Sequence, residues 1–266
     1  KIYNHILIFL FFYVLIKNYL TKSFLLANSS TIRPWFYRTV LIKSHQQSYD
    51  WLNPWQKREI RTKSGMGLVV SISSSKNNFS LHLLTTADIV ADSTLIEVTR
   101  KDLRQPFTAN IFLIDYAANI ALLKIDNLKF WKDLKPVDWD NLKISNDLKS
   151  KNISTLKIKS AEEWHMQTAE IENMTVGYRM QTNAWFPQIK IKGLSKTNPG
   201  FPVIQDNKTV GMIQEAKSNI AKAIPTEMIL EFFKHSKNSI YKSLAHRGFN
   251  WKKLPQKSTA DFFQVP

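Results

Sequence analysis

Gly65-Met66-Gly67-Leu68-Val69-Val70-Ser71-Ile72 is a glycine-led run of apolar and β-branched residues, the composition of a strand. Ser73 to Asn78 is polar and reads as a turn. Leu81-His82-Leu83-Leu84-Thr85-Thr86 is a second strand, and Thr94-Leu95-Ile96-Glu97-Val98-Thr99 a third. Ala87 to Ala91 is short enough for one helical turn between them. Phe107 to Leu113 and Ile120 to Ile125 continue the series. Phe130-Trp131 through Trp139 reads as a crossing between two halves. Strands then resume around Ile153 to Ile158, Thr168 to Glu172, Ile189 to Ile191 and Thr209 to Ile213. Short strands punctuated by turns predict an all-β sandwich or barrel. Pro225 to His235 carries Met228, Ile229, Phe232 and Phe233 at helical spacing, with Pro225 in the first turn and Thr226 as a cap. This predicts a C-terminal helix packed on the second half.

With 266 residues, 44% hydrophobic and 12% aromatic, the chain is long and apolar enough for a real core. It contains no cysteine, which excludes disulfides, thiolate metal sites and a cysteine nucleophile. Only 7 glycines are present, and no phosphate-cradling glycine loop is formed from them. The net charge of +16 favours acidic partners: nucleic acid, anionic lipid or acidic polysaccharide. The lysines are scattered, however, and abundant Lys, Ile and Asn is also what AT-rich coding produces. No nucleic-acid reading motif is present. His165 stands beside Glu162 and Glu163, but no second histidine lies at helical or hairpin spacing, so an exposed polar turn is expected there rather than a metal site. No cofactor is expected.

Residues 1–27 read as a signal peptide or membrane anchor. Ile6 to Ile16 is an unbroken apolar run of 11 residues behind Lys1 and His5. That length suits the core of an export signal and is short for a spanning helix, which takes about 20 residues. Ala27 is a plausible cleavage position. A retained anchor reaching Leu26 would place Lys17 and Lys22 in the bilayer at a cost of about 3 kcal/mol each. The chain is expected to be exported, to a periplasm, a cell envelope or the medium.

Five blocks, in order, resemble the HtrA/Deg group of trypsin-like serine proteases. Ser64-Gly65-Met66-Gly67-Leu68-Val69-Val70 is similar to that family's G-S-G-F-V-I strand. Leu84-Thr85-Thr86-Ala87-Asp88-Ile89-Val90-Ala91-Asp92 is similar to L-T-N-A-H-V-V-A-D. Asn119-Ile120-Ala121-Leu122-Leu123-Lys124-Ile125 is similar to D-L-A-L-L-K-V. Thr197-Asn198-Pro199-Gly200-Phe201-Pro202-Val203, followed by Val210-Gly211-Met212-Ile213, resembles the nucleophile loop N-P-G-N-S-G-G-P-V and the strand after it. Ala223-Ile224-Pro225 resembles the run leading into the family's last helix. The resemblance covers about residues 35 to 235. It implies two perpendicular six-stranded β-barrels, residues 35–137 and 138–235, with the former active site in the cleft between them. Residues 236–266 resemble a linker and the opening strand of a PDZ domain, which binds extended peptides by strand addition; a disordered basic tail is the alternative.

The resemblance also implies that the catalytic positions have degenerated. Asp88 stands where the family has its histidine base, and Asn119 where it has the orienting aspartate. After Gly200, the stretch with the serine and its flanking glycines has shrunk to Phe201, and the serine has no counterpart. A carboxylate of ordinary acidity is a poor base for a serine hydroxyl. Losing the nucleophile or the base costs on the order of a millionfold in turnover. Phe201 is expected to fill the vacated space. A Ser195–His82 dyad is conceivable only if both side chains reach one cleft; His82 is expected on a strand face and Ser195 in a solvent loop. The expected function is therefore a non-catalytic protease homologue that binds a protein or peptide, with an active protease paralogue or a self-trimer as candidate partners. Active endopeptidase chemistry with displaced residues, and a basic adhesin for anionic surfaces, are the competing readings. The aromatics Trp35, Phe36, Tyr37, Trp51 and Trp55 suit either an oligomer interface or core packing.

Overall fold

The computed structural model describes residues 32–75, 78–103, 105–139, 152–158, 163–179, 184–194, 198–236 and 241–244. The apolar run at 6–16, Glu162, Ser195 and the tail beyond Leu244 lie outside the described residues. No helix among the described residues is long and apolar enough to cross a membrane.

The first half holds β1 (Thr39–Gln46), β2 (Arg61–Ser75), β3 (Asn78–Thr85), the single-turn helix α1 (Ala87–Val90), β4 (Ser93–Thr99), β5 (Phe107–Thr108), β6 (Asn110–Asp115), β7 (Ile120–Lys124) and the short α2 (Leu128–Trp131). Its strands pair antiparallel in the order β5-β4-β1-β2-β3-β7-β6. β5 and β6 are separated only by Ala109, whose N–H still donates to the Ile96 carbonyl at 2.9 Å. The two ends of the order are therefore one bent stretch of chain, pairing with β4 where it starts and with β7 where it ends. Counted as one, it gives the six strands expected.

The second half is a closed barrel of β8 (Asn152–Ile158), β9 (Trp164–Arg179), β10 (Ala184–Lys192), β11 (Pro202–Gln205), β12 (Lys208–Lys217) and β13 (Ile220–Pro225), ordered β10-β13-β12-β11-β8-β9. β9 runs well beyond the expected Thr168–Glu172, because its polar residues alternate outward while Ala169 and Ile171 face the core. The helix α3 (Thr226–His235) follows, burying Met228, Ile229, Phe232 and Phe233. Pro225, not Thr226, is its N-cap; the Thr226 hydroxyl instead donates to the Thr209 carbonyl at 3.2 Å and ties the helix to β12.

Period-2 alternation explains the unbroken apolar runs in β2, β3 and β7. Val69, Leu83, Ala121 and Leu123 pack inside the first half with Val40, Ile42, Val98 and Phe130. Their neighbours Leu68, Val70, Leu84, Ile120 and Leu122 point the other way, into a core shared with the second half that includes Trp35, Ile204, Met212 and Phe201. A strand buried on both faces reads as continuous hydrophobicity.

The crossing segment is bonded to both halves. Lys135 N–H donates to Tyr37 O at 2.9 Å and Val137 N–H to Val69 O at 2.8 Å, while Asp138 O accepts from Thr209 N–H at 2.8 Å. Arg38 pairs with Asp138 at 2.8 Å.

A second strap returns from the end of α3. The Asp115 carboxylate, 3% exposed, accepts from Tyr241 OH at 2.6 Å, Ser243 Oγ at 2.7 Å, Leu244 N–H at 3.2 Å and Ala118 N–H at 2.9 Å. Burial pushes its pKa up, but the hydrogen bonds from Tyr241, Ala118, Ser243 and Leu244 outweigh it and hold it below the usual carboxylate value of 3.8. A lowered folded-state pKa contributes stability that is present above the unfolded value and is lost as pH falls through the folded one. Asp115→Asn is expected to cost about 2 kcal/mol near neutral pH. The gap from wild type should shrink as the pH falls below about 4. Urea midpoints of both chains across that range check this; a gap that widens in acid refutes it.

Candidate functional site

Two elements meet at the junction of the halves: the α1 turn with its supporting Asn119, and the loop at residues 198–201. The N-cap of α1 is Thr86, whose buried hydroxyl makes no capping bond and has no hydrogen-bond partner among the described residues. The cap comes from elsewhere in the sequence: Asp88 N–H donates to Asn119 Oδ1 at 2.9 Å. Asn119 sits in the Asp115–Ile120 connection with φ of 61°, a left-handed conformation that asparagine tolerates. It is 1% exposed, and its Nδ2 has no hydrogen-bond partner among the described residues. The amide thus keeps the acceptor half of what a carboxylate would do there and turns a donor where a second acceptor would lie.

Asp88 is half-buried on α1. Its carbonyl accepts from Gln46 Nε2 at 3.1 Å and Lys63 Nζ at 3.0 Å, which ties the turn to β1 and β2. Structure therefore brings Asp88 and Asn119 together through a main-chain contact.

The second element is drawn into the second barrel. Gly200 N–H donates to Ile213 O at 2.7 Å, and Ile213 N–H donates to Phe201 O at 2.8 Å. These two bonds extend the β11–β12 ladder back through the loop, whose strand pairing begins formally at Pro202↔Met212. Phe201 is 3% exposed, within the core shared by both halves. On its other side the loop touches the first half, where Met66 N–H donates to Pro199 O at 3.1 Å. Gly200 has φ of +87°, and a Cβ there would lie 1.9 Å from Met66 O.

His82 lies on β3, opposite Val70 of β2, and stacks on Phe112 with ring centroids 4.6 Å apart. Burial lowers its pKa below 6.5, which favours the neutral ring. Its Nδ1 lies 3.5 Å from Ser80 Oγ and 3.4 Å from Ser80 O. Ser195, its conceivable partner, is outside the described residues. His165 pairs with Glu163 at 2.8 Å at the start of β9.

The aromatic segment divides. Trp35 is fully buried in a short 3-10 turn, Arg33–Tyr37, and Phe36 meets Trp164 edge-on at 5.5 Å. Trp51 and Trp55 are exposed.

No protein-family model matches the chain. Among curated proteins it is 24% identical over 197 residues to "Putative protease Do-like 11, mitochondrial" of Arabidopsis thaliana, covering 73% of this chain and 32% of that protein. It is 24% identical over 190 residues to "Protease Do-like 4, mitochondrial" of the same plant, covering 68% and 34%. The chain thus spans about a third of the length of the curated relatives it matches. Among solved structures, the active form of the Rv3671c protease from M. tuberculosis superposes with a TM-score of 0.58 at 15% identity, covering 81% of this chain and 86% of that one. The chain is a distant homologue of the Do-like (HtrA) proteases and has the fold of the trypsin-like proteases.

Proposed function

We propose that this chain is a non-catalytic HtrA-type protease homologue, exported from its cytoplasm, that works by binding a protein or peptide partner. The observation that carries this reading is the loop at Gly200-Phe201. Acyl transfer needs a hydroxyl beside a base, and backbone N–H groups left free for the oxyanion. At this loop the Gly200 N–H is spent on Ile213 O at 2.7 Å, and position 201 holds a buried phenyl ring. Asp88, at the place of the base, offers a carboxylate, and the Asn119 side chain accepts from the Asp88 main-chain N–H. The apolar run at Ile6 to Ile16 is the basis for export.

The test is incubation of the purified chain with a fluorophosphonate probe and with unfolded casein. No covalent adduct and no cleavage are expected. Labelling of one serine that disappears in Ser195→Ala, together with cleavage, would establish an active endopeptidase with displaced residues and end this proposal. Sedimentation of the chain alone and with an active paralogue distinguishes a self-trimer from a mixed assembly.

A further inference from the structure

The connection between β1 and β2 presents large apolar side chains to solvent. Trp51 is 85% exposed, Leu52 86% and Trp55 78%, and Tyr49 and Ile60 are also exposed. Scattered exposed hydrophobics are ordinary; five within twelve residues of one excursion, two of them tryptophans, are not. Nor is the excursion a loose strand of chain. Tyr49 and Lys57 form a β-bridge, Arg58 N–H donates to Ser48 O at 3.1 Å, and Gln56 N–H donates to Asn53 O at 2.8 Å. The Asp50 carboxylate accepts from Leu52 N–H at 3.0 Å and Asn53 Nδ2 at 3.5 Å. The backbone of the loop is thus fixed by its own hydrogen bonds, with the rings held outward.

The charges around the rings are mostly of one sign. Lys57, Arg58 and Arg61 are exposed, and none forms an ion pair with an acid among the described residues. Of the two acids in residues 47–63, Asp50 is occupied by its own loop and Glu59 forms no ion pair among the described residues. The whole chain carries +16. Tryptophan and tyrosine combine an apolar body with a polar tip and settle at the headgroup level of bilayers, while adjacent Lys and Arg are drawn to anionic lipid.

We propose that the Tyr49–Ile60 loop is a docking tip for an anionic lipid bilayer, with Trp51, Leu52 and Trp55 entering the interface and Lys57, Arg58 and Arg61 meeting the headgroups. This goes beyond the proposed loss of catalysis and does not depend on it.

The test uses the full chain with vesicles of phosphatidylcholine alone and of phosphatidylcholine with phosphatidylglycerol, each also prepared with brominated acyl chains that quench tryptophan. The apolar run at residues 6–16 contains no tryptophan, so quenching does not report its insertion. Quenching is expected with anionic vesicles and is expected to vanish in the Trp51→Ala/Trp55→Ala chain. Lys57→Glu/Arg58→Glu should require on the order of tenfold more anionic vesicle for half-maximal quenching. Both substitutions fall on exposed side chains, and thermal unfolding should confirm an intact fold. Vesicle binding without quenching, or quenching unchanged in the double tryptophan variant, would overturn the proposal. So would a concentration-dependent self-association, without vesicles, that the double tryptophan variant abolishes, since the tip would then belong to a second copy of the chain.

Discussion

Gly200→Ala is expected to remove at least about 3 kcal/mol of stability, a large part of the 5–15 kcal/mol typical of a folded domain. Two costs add. The position has φ of +87°, where a side chain costs about 1–2 kcal/mol through contact with its own carbonyl. The new Cβ would also lie 1.9 Å from Met66 O, 2.9 Å from Met66 C and 3.0 Å from Met66 N. Those are backbone atoms with fixed roles. Met66 O accepts from the Thr85 hydroxyl at 2.9 Å, and Met66 N–H donates to Pro199 O at 3.1 Å. The backbone can therefore yield only by breaking the contact between the halves. Urea unfolding measures the loss, with Gly193→Ala as the comparison: Gly193 also has positive φ (88°), but its Cβ would meet nothing nearer than 3.8 Å. The difference between the two variants isolates the close approach from the backbone strain. Equal losses would show that the contact with Met66 carries no weight.

That close approach bears on what the loop can do. In this chain the glycine brings the 198–201 segment against β2 and hands its N–H to Ile213. The space has been used for packing, and the amide has been used for pairing.

Much of the fold was legible because each central strand is buried on both faces. Leu68, Val69 and Val70 form an unbroken run of apolar, largely β-branched residues, which suits a β-strand covered by a core on each face. The five family-like blocks also carried order and spacing, so Asp88, Asn119, Gly200 and Phe201 could be singled out as candidates from the sequence alone. What these residues do there could not. That Asn119 caps α1 through a main-chain N–H depends on a left-handed turn and a contact 31 residues apart. The fate of the Gly200 N–H depends on the register between the loop and β12. The Asp115 strap joins residues 126 to 129 positions apart, and no local pattern encodes such a partner. Aromatic residues were ambiguous for the same reason. Trp35 and Trp51 have the same chemistry, and only the path of the chain puts one under both halves and the other at a loop tip.

Phe201→Ser is expected to be the second strongly damaging change, and it should give nothing back in activity. Removing a buried phenyl costs about 3–5 kcal/mol, and a hydroxyl left unbonded in its place adds about 1–3. Phe201→Leu, which keeps most of the volume, should cost less than about 1.5 kcal/mol and serves as the folding control. The serine variant would place a hydroxyl in the shortened loop, yet three conditions for using it would still be unmet. Asp88 carries a carboxylate in place of the imidazole that the family resemblance implies for a base. Asn119 presents Nδ2, a donor, where an imidazole would need an acceptor. The Gly200 N–H is bonded to Ile213 O, so that amide is not free for a developing oxyanion. Adding Asp88→His and Asn119→Asp repairs the first two conditions and leaves the third. Even the triple variant should therefore show no fluorophosphonate adduct above the level of Phe201→Leu. If instead it is labelled at position 201, the strand pairing at Gly200 must open readily, and the loop geometry is then no barrier to catalysis.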